Sequence, residues 1–225
     1  MADLLIYVYE RIMEARFSTC IITAGAWLLA SCGPKTLVLP EEPVDRAATC
    51  GSVTAASARA ATGVGAPLSL EAITRVLHYP LLAGSAGESF SSDTAAAVQA
   101  RMSELQDSVG DANWQDLVPA CNAAFPAAAV DQVTLPKDRF VAQLGCDELG
   151  DFLRSSLEAK EEYLKELGEY RKLGNDLETT LAAGLRSRAG SETSAHQEER
   201  RKALATMAKA GPPVPVMRAC LDRFG

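Results

Sequence analysis

Apolar positions recur along most of this chain at the three-to-four-residue spacing of helices buried on one side. Val98, Met102, Leu105 and Val109 stand at i, i+4, i+7 and i+11 behind Asp93, which predicts a capped helix ending at Gly110. Before it, Cys50–Thr62 is an Ala-rich helix stopped by Gly63. Pro67 and Ser69 open a second, running through Ile73, Val76 and Leu77 until Pro80 ends it. The Gly/Ser-rich stretch 83–92 reads as a loop, and Pro119 falls in the first turn of a short helix carrying Cys121 and Phe125.

Further along, one long helix is predicted from near Cys146 to Leu173, with Leu149, Phe152, Leu153, Leu157, Leu164 and Leu167 inward and Gly174-Asn175 as its stop. Asp176 to Arg188 follows, with Leu177, Leu181 and Leu185 on one face. Ser194-x-x-Gln197 reads as a capping box for a helix through Leu204 and Met207, closed by Gly211. Pro215 then starts a last helix on which Val216, Cys220 and Phe224 share a face. Val130–Leu135 comes nearest to strand alternation and is too short to pair alone. The pattern predicts an all-α fold.

The chain also repeats itself. Leu39-Pro40 precedes Cys50 as Leu135-Pro136 precedes Cys146, both in the form L-P-x9-C. Ala120-Cys121-x3-Phe125 answers Ala219-Cys220-x3-Phe224. The first cysteine recurs after 96 residues and the second after 99. Four markers in one order at nearly one period predict two tandem, mutually similar helical units, 39–126 and 127–225.

From Phe17 to Ala30 the chain is apolar or small, with Arg16 before it. About 14 residues fall short of the roughly 20 that span a bilayer as a helix, and the arrangement reads as a signal segment, 1–31. Asp3, Glu10 and Glu14 make the first residues a poor leader, whereas a start at Met13 leaves a positive one. The run ends Leu29-Ala30-Ser31-Cys32, which resembles the lipobox of bacterial lipoprotein precursors. The resemblance implies cleavage before Cys32, a diacylglyceryl group on its thiol and acylation of the new amine. Gly33 in place of Asp implies the outer rather than the inner membrane. Several acyl chains anchor stably where one holds only marginally. Residues 32–38 then form a tether reaching only about 20 Å, which keeps the folded part near the membrane, facing the periplasm.

Removing 1–31 leaves 194 residues and takes away three acids and two bases, so the net charge of −7 becomes −6. A mildly acidic chain without a basic cluster is a poor partner for nucleic acid. Of six cysteines, Cys20 leaves with the signal and Cys32 takes lipid, so Cys50, Cys121, Cys146 and Cys220 remain. An exported chain sits where disulfides persist, and four cysteines permit three pairings. The repeat selects one bridge per unit, Cys50–Cys121 and Cys146–Cys220. Spacings of 71, 25 and 74 do not suit zinc, whose cysteines usually come in close pairs.

Candidate chemistry is sparse. His78, beside Tyr79-Pro80, and His196, in a polar helix opening, read as surface or capping groups. Glu158–Lys172 and Glu198–Lys202 read as solvated faces, with Tyr163 and Tyr170 either meeting a partner helix or finishing the core. Gly63-Val64-Gly65 follows a helix rather than a strand, so it is a turn and not a nucleotide fingerprint. Nucleophile elbows, zinc-protease helices and phosphate loops are missing, and no catalytic, cofactor or metal set emerges. The expectation is a non-enzymatic, membrane-anchored envelope lipoprotein with a structural or protein-interaction role. The competing expectation is a small-molecule carrier with an apolar pocket in or between the units. Apolar space between the units favours the carrier; a packed seam favours interaction.

Overall fold

Every regular element among the described residues, 38–63 and 65–225 of this computed structural model, is helical. The signal segment, the proposed start at Met13, Cys20, Cys32 and the tether up to residue 37 lie outside them. Eight α-helices are described: α1 Pro43–Thr62, α2 Leu70–Gly84, α3 Ser92–Gly110, α4 Val118–Ala124, α5 Arg139–Leu157, α6 Leu164–Ala189, α7 Thr193–Ala210 and α8 Pro213–Phe224. Single 3-10 turns lie at Trp114–Leu117, Pro126–Ala129 and Glu161–Tyr163. None of the described helices is long and apolar enough to cross a membrane.

Local chemistry sets the starts. The side chains of Glu42, Ser69, Ser91 and Asp138 each accept a backbone N–H three residues on, at 2.7–3.2 Å. Ser91, not Asp93, therefore caps α3. Helix α7 opens at Thr193 behind Glu192 without a side-chain cap, so the expected capping box at Ser194 is not formed. Its close at Gly211 holds, and α8 begins two residues before Pro215.

Helices α1 and α5 begin at Pro43 and Arg139, well ahead of the predicted starts at Cys50 and near Cys146, and three other boundaries differ more. Pro80 lies inside α2, which continues to Gly84. A proline removes one donor and crowds the preceding turn, but Tyr79, Pro80 and Leu81 are all buried, so packing carries the helix past it. The long helix predicted from Cys146 to Leu173 is two helices: α5 ends at Leu157, and α6 starts at Leu164. Leu164 sits on the exposed side at the restart, half open to solvent. Gly174-Asn175 ends nothing, because Leu173, Leu177, Leu181 and Leu185 form one buried stripe along 26 residues of α6.

The apolar faces gather into two main cores. In the first half Cys50, Val53, Tyr79, Val109, Leu117 and Cys121 pack with Trp114 and Phe125, and Ala47, Ala48 and Val98 with Met102. The second core joins α5, α6, α7 and α8 through Leu144, Leu149, Leu153, Leu173, Leu181, Met207 and Met217. Leu81 of α2 is fully buried in this second core, with Leu70, Ile73, Leu77 and Leu82 against its edge. Helix α2 thus belongs to the first half by chain order and to both halves by packing.

Candidate functional site

Two disulfides fix the ends of the halves. Cys50 on α1 joins Cys121 on α4, and Cys146 on α5 joins Cys220 on α8, with Cα–Cα separations of 5.4 and 5.8 Å. All four cysteines are at most 2 % exposed. Each bridge ties the first helix of its half to the last, the pairing that the repeat selects.

Between the halves runs a seam of packed side chains and polar ties. The Tyr163 hydroxyl donates to the Leu68 carbonyl at 2.5 Å. The Phe90 N–H donates to the Arg201 carbonyl at 3.1 Å, Lys209 donates to the Gly87 carbonyl at 2.8 Å, and the Ser89 hydroxyl meets Glu198. Within it lies His78, expected as a surface or capping group and found fully buried. Its Nε2–H donates to the Ala208 carbonyl at 2.8 Å, while Nδ1 is buried with no partner. Thr74, His78, Leu81 and Ser85 follow at i, i+4, i+7 and i+11, and all four are fully buried. That stripe is visible in the sequence only to a reader who lets the helix pass through Pro80. His196, by contrast, donates from Nε2 to the Gly190 carbonyl at 2.8 Å, a capping role at the α6–α7 turn.

A groove of about 400 Å³ opens where the turn after α2 meets α5 and α7. Phe90 and Phe152, edge to face at 6.1 Å, line it with Leu204, Glu148, Asp151 and Arg154. At its margin Arg200 reaches Glu148 and, at 3.2 Å, Asp147. Burial raises the pKa of both carboxyls and Arg200 opposes it, with neighbouring Asp151 adding to the rise. Asp151 in turn binds Arg154 at 2.9 Å. Sequence reasoning missed this cluster, because Asp147 and Glu148 adjoin Cys146 and give no spacing signal of their own.

The groove's charges are paired with one another: every carboxylate named there has a guanidinium partner. His78, the one histidine near the seam, is sealed from solvent and cannot touch a ligand. Tyr163 and Tyr170 are buried in the second core rather than offered to a partner helix, and burial pushes the Tyr170 hydroxyl up to about 12. Among the described residues no cluster of His, Cys, Asp and Glu is arranged to hold a metal. A smaller groove of about 260 Å³ lies between Glu169, Lys172 and the chain end at Gly225. Comparison of the chain with protein-family models, with curated proteins and with solved structures returns no match.

Proposed function

We propose that this chain is a bacterial envelope lipoprotein, anchored through Cys32 in the outer membrane and facing the periplasm. Its role is non-enzymatic, as a structural or protein-interaction module built from two tandem copies, 39–126 and 127–225. The observation that carries the reading is the packed seam. A carrier needs enclosed apolar space for its cargo; here the ground between the halves is filled by Leu81, His78 and Tyr163. The two grooves described above are open and edged by ion pairs.

Parallel details support the tandem origin. Each half opens on a helix bearing its first cysteine and closes on a short one bearing its second. In each, a methionine of the third helix lies against a glycine of the first: a Cβ on Gly51 would stand 2.6 Å from Met102 Cε, and one on Gly145 would collide with Met207. In each, an arginine of the third helix reaches back to acid on the first, Arg101 to Asp45 at 2.6 Å and Arg200 to Asp147 and Glu148.

Native mass spectrometry of protein purified from the envelope tests the reading. The expected spectrum shows the lipidated chain alone or with a protein partner. A small molecule of a few hundred daltons retained at one per chain would overturn it in favour of the carrier.

A further inference from the structure

Helix α2 is the piece both halves share, and one titratable group on it is buried against the second half. His78 is held between α2 and α7 by a single hydrogen bond, from Nε2–H to the Ala208 carbonyl. That bond fixes the neutral ring with its proton on Nε2 and leaves Nδ1 as a buried lone pair without a partner. A second proton would place an unpartnered cation in a fully buried position between α2 and α7, which a dry core resists strongly.

We propose that His78 is an acid-sensitive latch between the two halves: while the ring is neutral the seam stays closed, and its protonation releases α2 from α7 and α8. Release wets the ring, pairs Nδ1 with water and exposes Leu81 with the apolar edge Leu70, Ile73, Leu77 and Leu82.

The surrounding charges leave the direction unchanged. On α2 itself Arg75, one turn before the ring and paired with Glu71 at 3.1 Å, opposes a second positive charge. On α1 Arg59 donates to the Ala66 carbonyl, and on α3 Arg101 binds Asp45 and Glu104. On α7 Lys209 is taken by the Gly87 carbonyl, Glu198 by Ser89 and Arg201, and Arg200 by Asp147 and Glu148. On α8 Arg218 and Arg223 are both exposed, and Arg223 donates to the Pro136 carbonyl at 3.1 Å. Among the described residues no carboxylate reaches the ring to welcome its proton.

Burial pulls the closed-state pKa from 6.5 down to about 4; the Ala208 carbonyl opposes this shift and Arg75 adds to it. A freed ring regains the ordinary value. The closed seam is therefore at full strength above pH 6.5. It weakens as pH falls through the window to about 4, by up to tenfold per pH unit.

Amide hydrogen exchange of the full-length protein in detergent, corrected for intrinsic exchange rates, reads the latch. Between pH 7 and pH 4.5, peptides covering 70–84 and 203–217 are expected to lose protection on the order of 100-fold. Peptides from α1 and α3 should keep theirs. In His78→Gln, which retains an N–H donor and takes no proton, seam protection should be the same at both pH values. Equal protection of the wild-type seam at both pH values would overturn the latch, as would an equal loss in the variant. So would loss from all helices together, which is unfolding and not release. If His78→Gln does not fold, ring 15N shifts of the wild type decide. A neutral His78 ring protonated at Nε2 at pH 5.5 supports the latch, and a charged ring in the closed protein overturns it.

Discussion

Leu81→Ala is expected to lower the unfolding free energy by about 2–5 kcal/mol, the range for emptying a packed site of a leucine's methyls. Leu81 is fully buried, and it projects from a helix of the first half into the core of the second. Its loss therefore strikes the seam as well as a core, and the urea midpoint should fall for both halves together. Leu164→Ala is the contrasting variant. Leu164 is 49 % exposed at the start of α6, and its truncation should change stability by no more than about 0.5 kcal/mol. Chemical denaturation followed by helix content checks both. Near-equal costs for the two variants would mean that α2 does not join the cores.

Removing either disulfide as a cysteine pair, Cys50→Ala with Cys121→Ala or Cys146→Ala with Cys220→Ala, is expected to cost about 2–5 kcal/mol. The loops closed are of similar length, with separations of 71 and 74 residues, so the entropic part of the two losses should be nearly the same. Each half carries few aromatic anchors, and a thin core leans on such a staple. Because the halves share α2, thermal melting should stay a single transition shifted downward. Two transitions, one unmoved, would show the halves folding independently and would count against a welded seam.

How far the sequence foretold this structure depended on whether local pattern or distant packing decided each point. The stripes Val98–Val109 and Leu177–Leu185 were legible, because a run of apolar residues at helical spacing has few other ways to be buried. The cysteine pairing, Cys50–Cys121 and Cys146–Cys220, is the one that the recurring L-P-x9-C and A-C-x3-F spacings predict. Pro80 misled: its local cost predicts a stop, but Thr74, His78, Leu81 and Ser85 form a buried stripe that continues through it. Gly174 misled in the same way, overruled by the leucines on either side. The break between α5 and α6 had no local signal, for Glu158–Glu162 are good helix formers. It is set from afar, where the chain turns so that Tyr163 can be buried and reach the Leu68 carbonyl.

The site was less legible than the fold. Burial of His78 follows from the same misplaced stop at Pro80, so one boundary concealed the chemistry of the seam. The Arg200 cluster joins α7 to α5 across 52 residues, a pairing that only the tertiary fold creates. Both features hold helices in place.

The address, the redox state and the architecture meet in one quantity, the intact mass of the protein purified from the envelope of its host. The predicted mass is that of Cys32–Gly225 carrying a diacylglyceryl group and one further acyl chain, less four hydrogens for two disulfides. A chain beginning elsewhere, bearing no lipid, or heavier by the hydrogens of free thiols would contradict it.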